Sequence, residues 1–430
     1  MTSGMAQSSH MRPEIRFRGT QIFGLCFYWA WVYLSFNTTT SMNWKIEGSQ
    51  TLLWVHILSM ITGVVTYALV IAFSRSAREF LGKRRTLIVT GLIMALGTAF
   101  DMLPVFQGIF WLSLLGGVLT GIGSCGIVLF WGMLYSDLSA RSIVISTAAS
   151  FFFANVIYLV TSMFPGWAAG LITTALPICA AVLYPDESTL RRYLGDGLAA
   201  DPSPDASGTG VAAAGAAGVR DTSGKPAASD GDSAAEGHRG SATRIFSASR
   251  LPWRTAIGLA VIMFVYGGVR LLLGTLDTSQ TDSSFLTALL IFAVTIVFVI
   301  WGLVFQGRNA SLGYAYKIAL PLLATVLLVI VIFGQAYAAQ LSLLATACNV
   351  TIEILTWMLL ADIARTTRTP AFLVFALGRA AVQFGMFGGQ LTAWYCIGYM
   401  QIFAIVSIFA LMLVSGFAFR VEDTELVFEA

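Results

Sequence analysis

The sequence predicts an all-α integral membrane protein whose twelve transmembrane helices form two six-helix repeats. Three observations predict it. Hydrophobic residues make up 57% of the 430 positions and charged residues only 11%, against about 25% charged in soluble domains, which excludes an ordinary soluble globular chain. Apolar windows of the length that crosses a hydrocarbon core of about 30 Å recur along the chain between polar or Gly/Pro turns. A long Ala/Gly-rich polar stretch interrupts the series halfway.

The first window, 20–36, carries the aromatic run FYWAWVY and ends at the polar NTTT. The second, 51–73, stops at SRSAREFLGKRR, and the third, 86–103, stops at Pro104. Windows 110–135, 142–163 and 167–183 follow, the last two separated at Pro165. The second series is 253–273, 285–305, 316–333, 339–363, 370–394 and 401–419, with turns at Gly334 and Gly398. The expected organisation is an N-terminal segment 1–19, a six-helix half 20–183, a tether 184–252, a second half 253–419 and a tail 420–430. No aromatic residue occurs from 194 to 245, and such a segment buries too little apolar surface to offset its ordering entropy.

Positive charge sets the expected orientation, because Lys and Arg concentrate on the cytoplasmic side. With both termini inside, all but three of the 25 basic residues are cytoplasmic or at cytoplasmic helix ends, the exceptions being Lys45, Arg270 and Arg379. The expected location is a bacterial cytoplasmic membrane, with the lipid bilayer as partner. The N-terminus has no short apolar core with a small-residue cleavage site, so no removable signal peptide is expected.

Several chemistries are disfavoured. The five cysteines all fall inside apolar runs and read as reduced packing residues. Two of the three histidines, His10 and His238, lie in polar stretches, so no metal cluster is expected. No phosphate-cradling Gly-rich loop or paired nucleophile is apparent. The expectation is no enzyme activity, no cofactor, and no nucleic-acid contact by this chain itself.

Glu353 lies within the tenth window, where a carboxylate costs about 2.5–3.5 kcal/mol on insertion scales. Arg379 in the eleventh window reaches a similar depth, at about 1.5 Å of rise per residue. Helical spacing puts Thr346, Asn349, Glu353 and Thr356 on one face, and Arg379, Gln383 and Gln390 on another. Consecutive helices are expected to be neighbours, so Glu353 and Arg379 are expected to pair. The pair either lines a midplane cavity that answers to a ligand or a proton, or is a permanent structural ion pair.

Arg270 reads either as a cavity residue or as a side chain that snorkels to the outer interface; Tyr266, one turn earlier, is placed in the same cavity. His56 and Asn155 read as interhelical hydrogen-bonding residues. The FYWAWVY run is either a stacking surface for a planar ligand or a lipid-facing belt. Small-residue steps, Gly117 with Gly121 and Ala381 with Gly385 and Gly389, signal close helix packing.

At a constant offset of 225 residues, MLYSDLS (133–139) overlies MLLADIA (358–364), both at the cytoplasmic ends of windows. With six plus six windows around a tether, this layout resembles the major facilitator superfamily. That family's loop signature between helices two and three is partly present: Gly82, Lys83, Arg84 and Arg85 fit and Glu79 stands for its Asp, while Arg75 and Phe80 depart from it. The resemblance implies a cytoplasmic gate in which this loop docks on Asp137, with a weaker copy from Arg308, Lys317 and Asp362. Without the resemblance, the basic loop obeys the positive-inside rule and contacts anionic headgroups.

The stretches LFWGMLYSDLSAR (129–141), LTWMLLADIART (355–366) and VFALGRAAVQFG (374–385) also resemble the membrane modules of LuxR-type regulators of Eggerthella-group actinobacteria. Trp357, Asp362 and Arg379 are positions typical of that module. This resemblance implies an unknown small-molecule ligand bound between the halves and a helix-turn-helix output domain or partner. Such an output needs about 60 further residues, and only RVEDTELVFEA follows Phe419. The reading from sequence is therefore a ligand-sensing membrane module. Its alternative is a secondary transporter of the major facilitator type, coupled to protons through Glu353.

Overall fold

The computed structural model describes residues 20–36, 49–106, 109–138, 140–184, 252–276, 283–304, 310–333, 337–367, 369–417 and 425–426. The segment 1–19, residues 185–251 of the tether, most of the tail, and Lys45 and Arg308 lie outside the described residues, as does the side chain of Lys317.

Thirteen helices of eight residues or more occur among the described residues. They are α1 (Thr20–Phe36), α2 (Ser49–Ala72), α3 (Ser74–Leu81), α4 (Arg84–Met102), α5 (Phe110–Ser136), α6 (Ala140–Ser162) and α7 (Gly166–Val182), followed by α8 (Trp253–Leu276), α9 (Ser283–Val304), α10 (Leu312–Phe333), α11 (Ala338–Thr367), α12 (Ala371–Tyr395) and α13 (Met400–Phe417). Nine of those described are long and apolar enough to cross a bilayer, and α1, α7 and α10 hold shorter apolar segments. Every expected window thus contains one apolar helix.

Three details differ from the sequence reading. The basic segment after the second window is not a loop: SRSAREFL forms α3, a surface helix held at its C-terminus by Gly82 N–H on the Arg78 carbonyl at 3.1 Å. The tenth helix continues to Thr367, a turn beyond the expected stop at 363, because ARTT sustains backbone bonding until Pro370 removes a donor. The chain is also not purely helical, since Ala310 and Ser311 pair antiparallel with Leu426 and Glu425. That two-residue ladder joins residues 425–426 to the residues just before α10.

Helices α1 to α7 pack chiefly among themselves, as do α8 to α13. The two groups meet through α2 against α12 and α6 against α9, with α11 leaning on α5 and α6. The tightest approaches are made by the glycine steps. A Cβ on Gly117 would lie 2.8 Å from the Val55 carbonyl oxygen, and one on Gly121 would lie 2.5 Å from that of Ser59, so α2 and α5 touch backbone to backbone. Gly385 and Gly389 bring α12 against the carbonyls of Ala260 and Phe264 on α8 in the same way. In lipid, where the hydrophobic effect does not drive helix association, such close van der Waals contact does.

The periphery is apolar. Val297, Ile405, Phe409 and Met412 are each about two-thirds exposed, and the apolar windows of α9 and α13 are only 28% buried. Soluble monomers rarely expose continuous apolar patches beyond a few hundred Å². A bilayer is the solvent such a surface fits.

Candidate functional site

A cavity of about 100 Å³ lies where the two helix groups meet, with walls from α1, α2, α5, α6, α8, α11 and α12. Glu353, at the centre of α11, and Arg379, two turns into α12, both line it. Arg379 Nη1 donates to Glu353 Oε2 at 2.5 Å, and each side chain is only 6% exposed. Burying either charge alone would be costly, and their short, charge-assisted bond offsets much of that cost. Arg379 is also flanked by aromatic faces, with its guanidinium carbon 5.8 Å from the Trp29 ring centroid and 6.0 Å from that of Trp357. Cation–π attraction of this kind gains strength when desolvated.

Asn349, one turn before Glu353, and Gln383, one turn after Arg379, line the same cavity. Their side-chain oxygens are buried and have no hydrogen-bond partner among the described residues. Thr346 and Thr356, on the same stripe in sequence, instead donate to their own helix at Ser342 and Ile352. A stripe of polar residues therefore over-counts the wall, because threonine hydroxyls satisfy themselves against the preceding turn.

The aromatic run of α1 turns inward. Tyr28, Trp29, Trp31 and Tyr33 are no more than 3% exposed and all line the cavity, so the lipid-belt reading is corrected. An aromatic layer continues beneath the ion pair. Trp29 sits 4.3 Å from Phe151 and 6.2 Å from Trp357 between ring centroids, and Trp357 contacts Tyr135 and Phe375. Trp31 Nε1 donates to Thr98 Oγ1 at 2.8 Å, which fixes that ring.

Of the two readings of Arg270, the cavity one fits its position and the snorkelling one does not. It lines the cavity, and its Nη2 donates to the Phe36 carbonyl at the last turn of α1, joining α8 to α1. The carbonyls at the end of a helix lack intrahelical donors and attract a cation, which is the physical reason for the inward turn. Tyr266, expected in the same cavity, is not among its walls; at 4% exposed it packs into the core one turn from Arg270. The longer arginine stem reaches the cavity and the phenol does not.

His56 and Asn155 make the interhelical bonds expected of them. Gln390 Nε2 and His56 Nε2 are 3.3 Å apart across α12 and α2, and Asn155 Nδ2 donates to the Ala288 carbonyl of α9 at 2.6 Å. His56 also lines the cavity, as do Ser59, Ser124 and Met386. Sequence reasoning missed these last three, though Met386 continues the 379, 383 stripe and Ser124 the Gly117, Gly121 stripe at helical spacing.

The proposed gate residues lie on the face that carries α3. Glu79, Lys83 and Arg85 are exposed, with Lys83 Nζ 5.8 Å from the Phe80 ring centroid. Arg84 Nη2 donates to the Val182 carbonyl of α7 at 3.3 Å, and Asp137 is half-buried just past α5. In the second group Asp362 bonds Arg365 of its own helix at 3.3 Å. Cys26, Cys125 and Cys348 are buried in the bundle, and Cys179 and Cys396 are half-buried.

Two solved structures are similar to this chain. The crystal structure of the human organic anion transporter MFSD10 (TETRAN) superposes with a TM-score of 0.53 at 13% identity, covering 93% of this chain and 97% of that one. The crystal structure of an autoinhibited POT family peptide transporter gives 0.52 at 12% identity, with coverage of 93% and 97%. No protein-family model and no curated protein sequence matches the chain. At these identities the likeness carries the fold alone. The chain is a multi-pass membrane protein whose helical fold is like that of these two structures, with nine described helices long and apolar enough to cross a bilayer.

Proposed function

We propose that the protein is a secondary transporter of the major facilitator type, carrying a small molecule through the cavity between two six-helix halves. The observation that carries this reading is the position of the Glu353–Arg379 pair, enclosed between helix groups that meet along α2 with α12 and α6 with α9. Exchange of 2 with 8 and 5 with 11 in the order of apolar helices turns one of those contacts into the other. Such pairing is what a two-fold axis along the membrane normal produces, and carriers of this architecture rock their halves about a midplane site.

In this reading the halves are residues 20–183 and 253–419, twelve helices cross a bacterial cytoplasmic membrane, and the α3 face is cytoplasmic. The basic cluster of Arg75, Arg78, Lys83, Arg84 and Arg85 on that face supports the orientation. Closure there involves the α3 segment with Asp137, and Asp362 in the second half. Glu353 is the one carboxylate lining the cavity among its described walls, and it is the residue through which a proton would couple.

The two similar solved structures are by name transporters, one of them an organic anion transporter. The sensory reading, drawn from resemblance to regulator membrane modules, has no counterpart among these relatives. A sensor needs only differential affinity between two conformations, whereas a carrier must move its ligand.

The test uses proteoliposomes holding the full chain, incubated with a mixed library of small organic anions, cations and neutral compounds, with the lumen read by mass spectrometry. Transport predicts accumulation of at least one compound, absent from empty liposomes and from the Glu353→Gln, Arg379→Met double variant. Saturable retention without accumulation would return the protein to the sensory class.

A further inference from the structure

Among the described residues the charges of the cavity do not balance. Arg379 is neutralised by Glu353 at 2.5 Å. Among the described residues Arg270 has no carboxylate within ion-pair distance, and its guanidinium, with five N–H donors, makes one hydrogen bond, to the Phe36 carbonyl. The described walls, with two arginines and one glutamate, thus carry one more positive charge than negative.

The uncharged walls divide into two kinds. Trp29, Tyr33 and Phe151 present a nearly continuous aromatic surface, with Tyr33 and Phe151 centroids 6.5 Å apart. Trp29 Nε1 and Tyr33 Oη are buried without a hydrogen-bond partner among the described residues, as are the side-chain oxygens of Asn349 and Gln383. At about 100 Å³ the cavity is smaller than the ~150 Å³ engineered cavity that holds benzene, so one aromatic ring is the largest flat body it suits. Nucleotides, lipids and peptides exceed it.

We infer that the cavity takes a single-ring aromatic carboxylate, with the ring against Trp29, Tyr33 and Phe151 and the carboxylate on Arg270. This inference rests on the reading of the cavity as the substrate site. A planar guanidinium meets a carboxylate through two parallel N–H···O bonds, and a monoanion brings the cavity to neutrality. A cation would face Arg270 and find Glu353 already held by Arg379. A saturated polyol would leave the aromatic wall without a partner face.

Equilibrium binding of tritiated benzoate to the full chain in lipid nanodiscs tests the assignment, with benzamide and cyclohexanecarboxylate as competitors. The expected result is saturable binding that benzamide, the neutral analogue, competes at least tenfold more weakly than unlabelled benzoate. Cyclohexanecarboxylate, which keeps the charge and loses the plane, is also the weaker competitor. Arg270→Gln lowers affinity at least tenfold and Arg270→Lys recovers part of it, both eluting as folded monodisperse protein. Equal competition by benzamide, wild-type affinity in folded Arg270→Gln, or absence of saturable benzoate binding would overturn the inference. If Arg270→Gln does not fold, the competitor series on the wild type decides. Benzoate binding without flux in the liposome assay sinks the transporter and leaves the ligand class standing. Flux confined to cations or neutral compounds does the reverse.

Discussion

Arg379 and Glu353, 26 positions apart on α12 and α11, close a 2.5 Å ion pair inside the helix bundle, each side chain 6% exposed. Removing one partner strands a buried charge, which costs about 3–5 kcal/mol, whereas removing both can be nearly neutral. Glu353→Gln is therefore expected to unfold well below the wild type in detergent, followed by intrinsic tryptophan fluorescence. The double variant with Arg379→Met should recover most of that loss and still fail to transport. A single variant that melts with the wild type would contradict a buried, obligatory pair.

Gly389 faces the Phe264 carbonyl oxygen so closely that an added Cβ would collide with it, whereas Gly398 has nothing within 4 Å. Gly389→Ala is expected to destabilise by about 1–3 kcal/mol, the usual cost of overpacking. Gly398→Ala should fall within about 0.5 kcal/mol of wild type, as surface changes do. Thermal unfolding of the two variants side by side checks the backbone contact of α8 with α12.

The bond from Asn155 Nδ2 to the Ala288 carbonyl spans α6 and α9 at 2.6 Å. Interhelical hydrogen bonds in membranes average about 0.6 kcal/mol and reach about 1.7. Asn155→Ala should lose an amount in that range, measured as the shift in unfolding midpoint. A loss of several kcal/mol would mean that the contact does more than join two helices.

Orientation is open to chemical labelling. In a chain whose five cysteines are replaced, Ser76→Cys on exposed α3 should react with a membrane-impermeant maleimide only in inside-out vesicles. Val105→Cys, at a position 82% exposed, should react only in intact cells. The opposite pattern would invert the protein.

Much of this structure is legible in the sequence because the membrane restricts the choices. Twenty-residue apolar windows mark the helices, and Glu353 with Arg379 stands out because a lone charge in lipid needs a partner. The direction in which α1 faces is not legible. FYWAWVY is apolar throughout, so no periodicity separates cavity from lipid, and only packing against Phe151 and Trp357 decides it. Arg270 leaves two readings open for a related reason: depth along a helix says how far a side chain is from water, and not that a helix end offers it the carbonyl of Phe36. Tyr266 shows the converse, since one helical turn and a shorter side chain separate the cavity wall from the core. Segment 74–81 reads as a loop because it lies between two apolar windows, yet eight residues without Gly or Pro suffice for a surface helix.

In the proposed carrier two halves rock about the ion pair, and electron–electron distance measurements between spin labels test that motion without knowing the substrate. One label pair replaces Phe80 and Val304 on the α3 face, and another replaces Val105 and Phe285 on the opposite face, all exposed positions. An alternating-access carrier predicts two distance populations for each pair, with conditions that lengthen one pair shortening the other. A single narrow distance on both faces, unchanged by pH or by benzoate, would contradict the account.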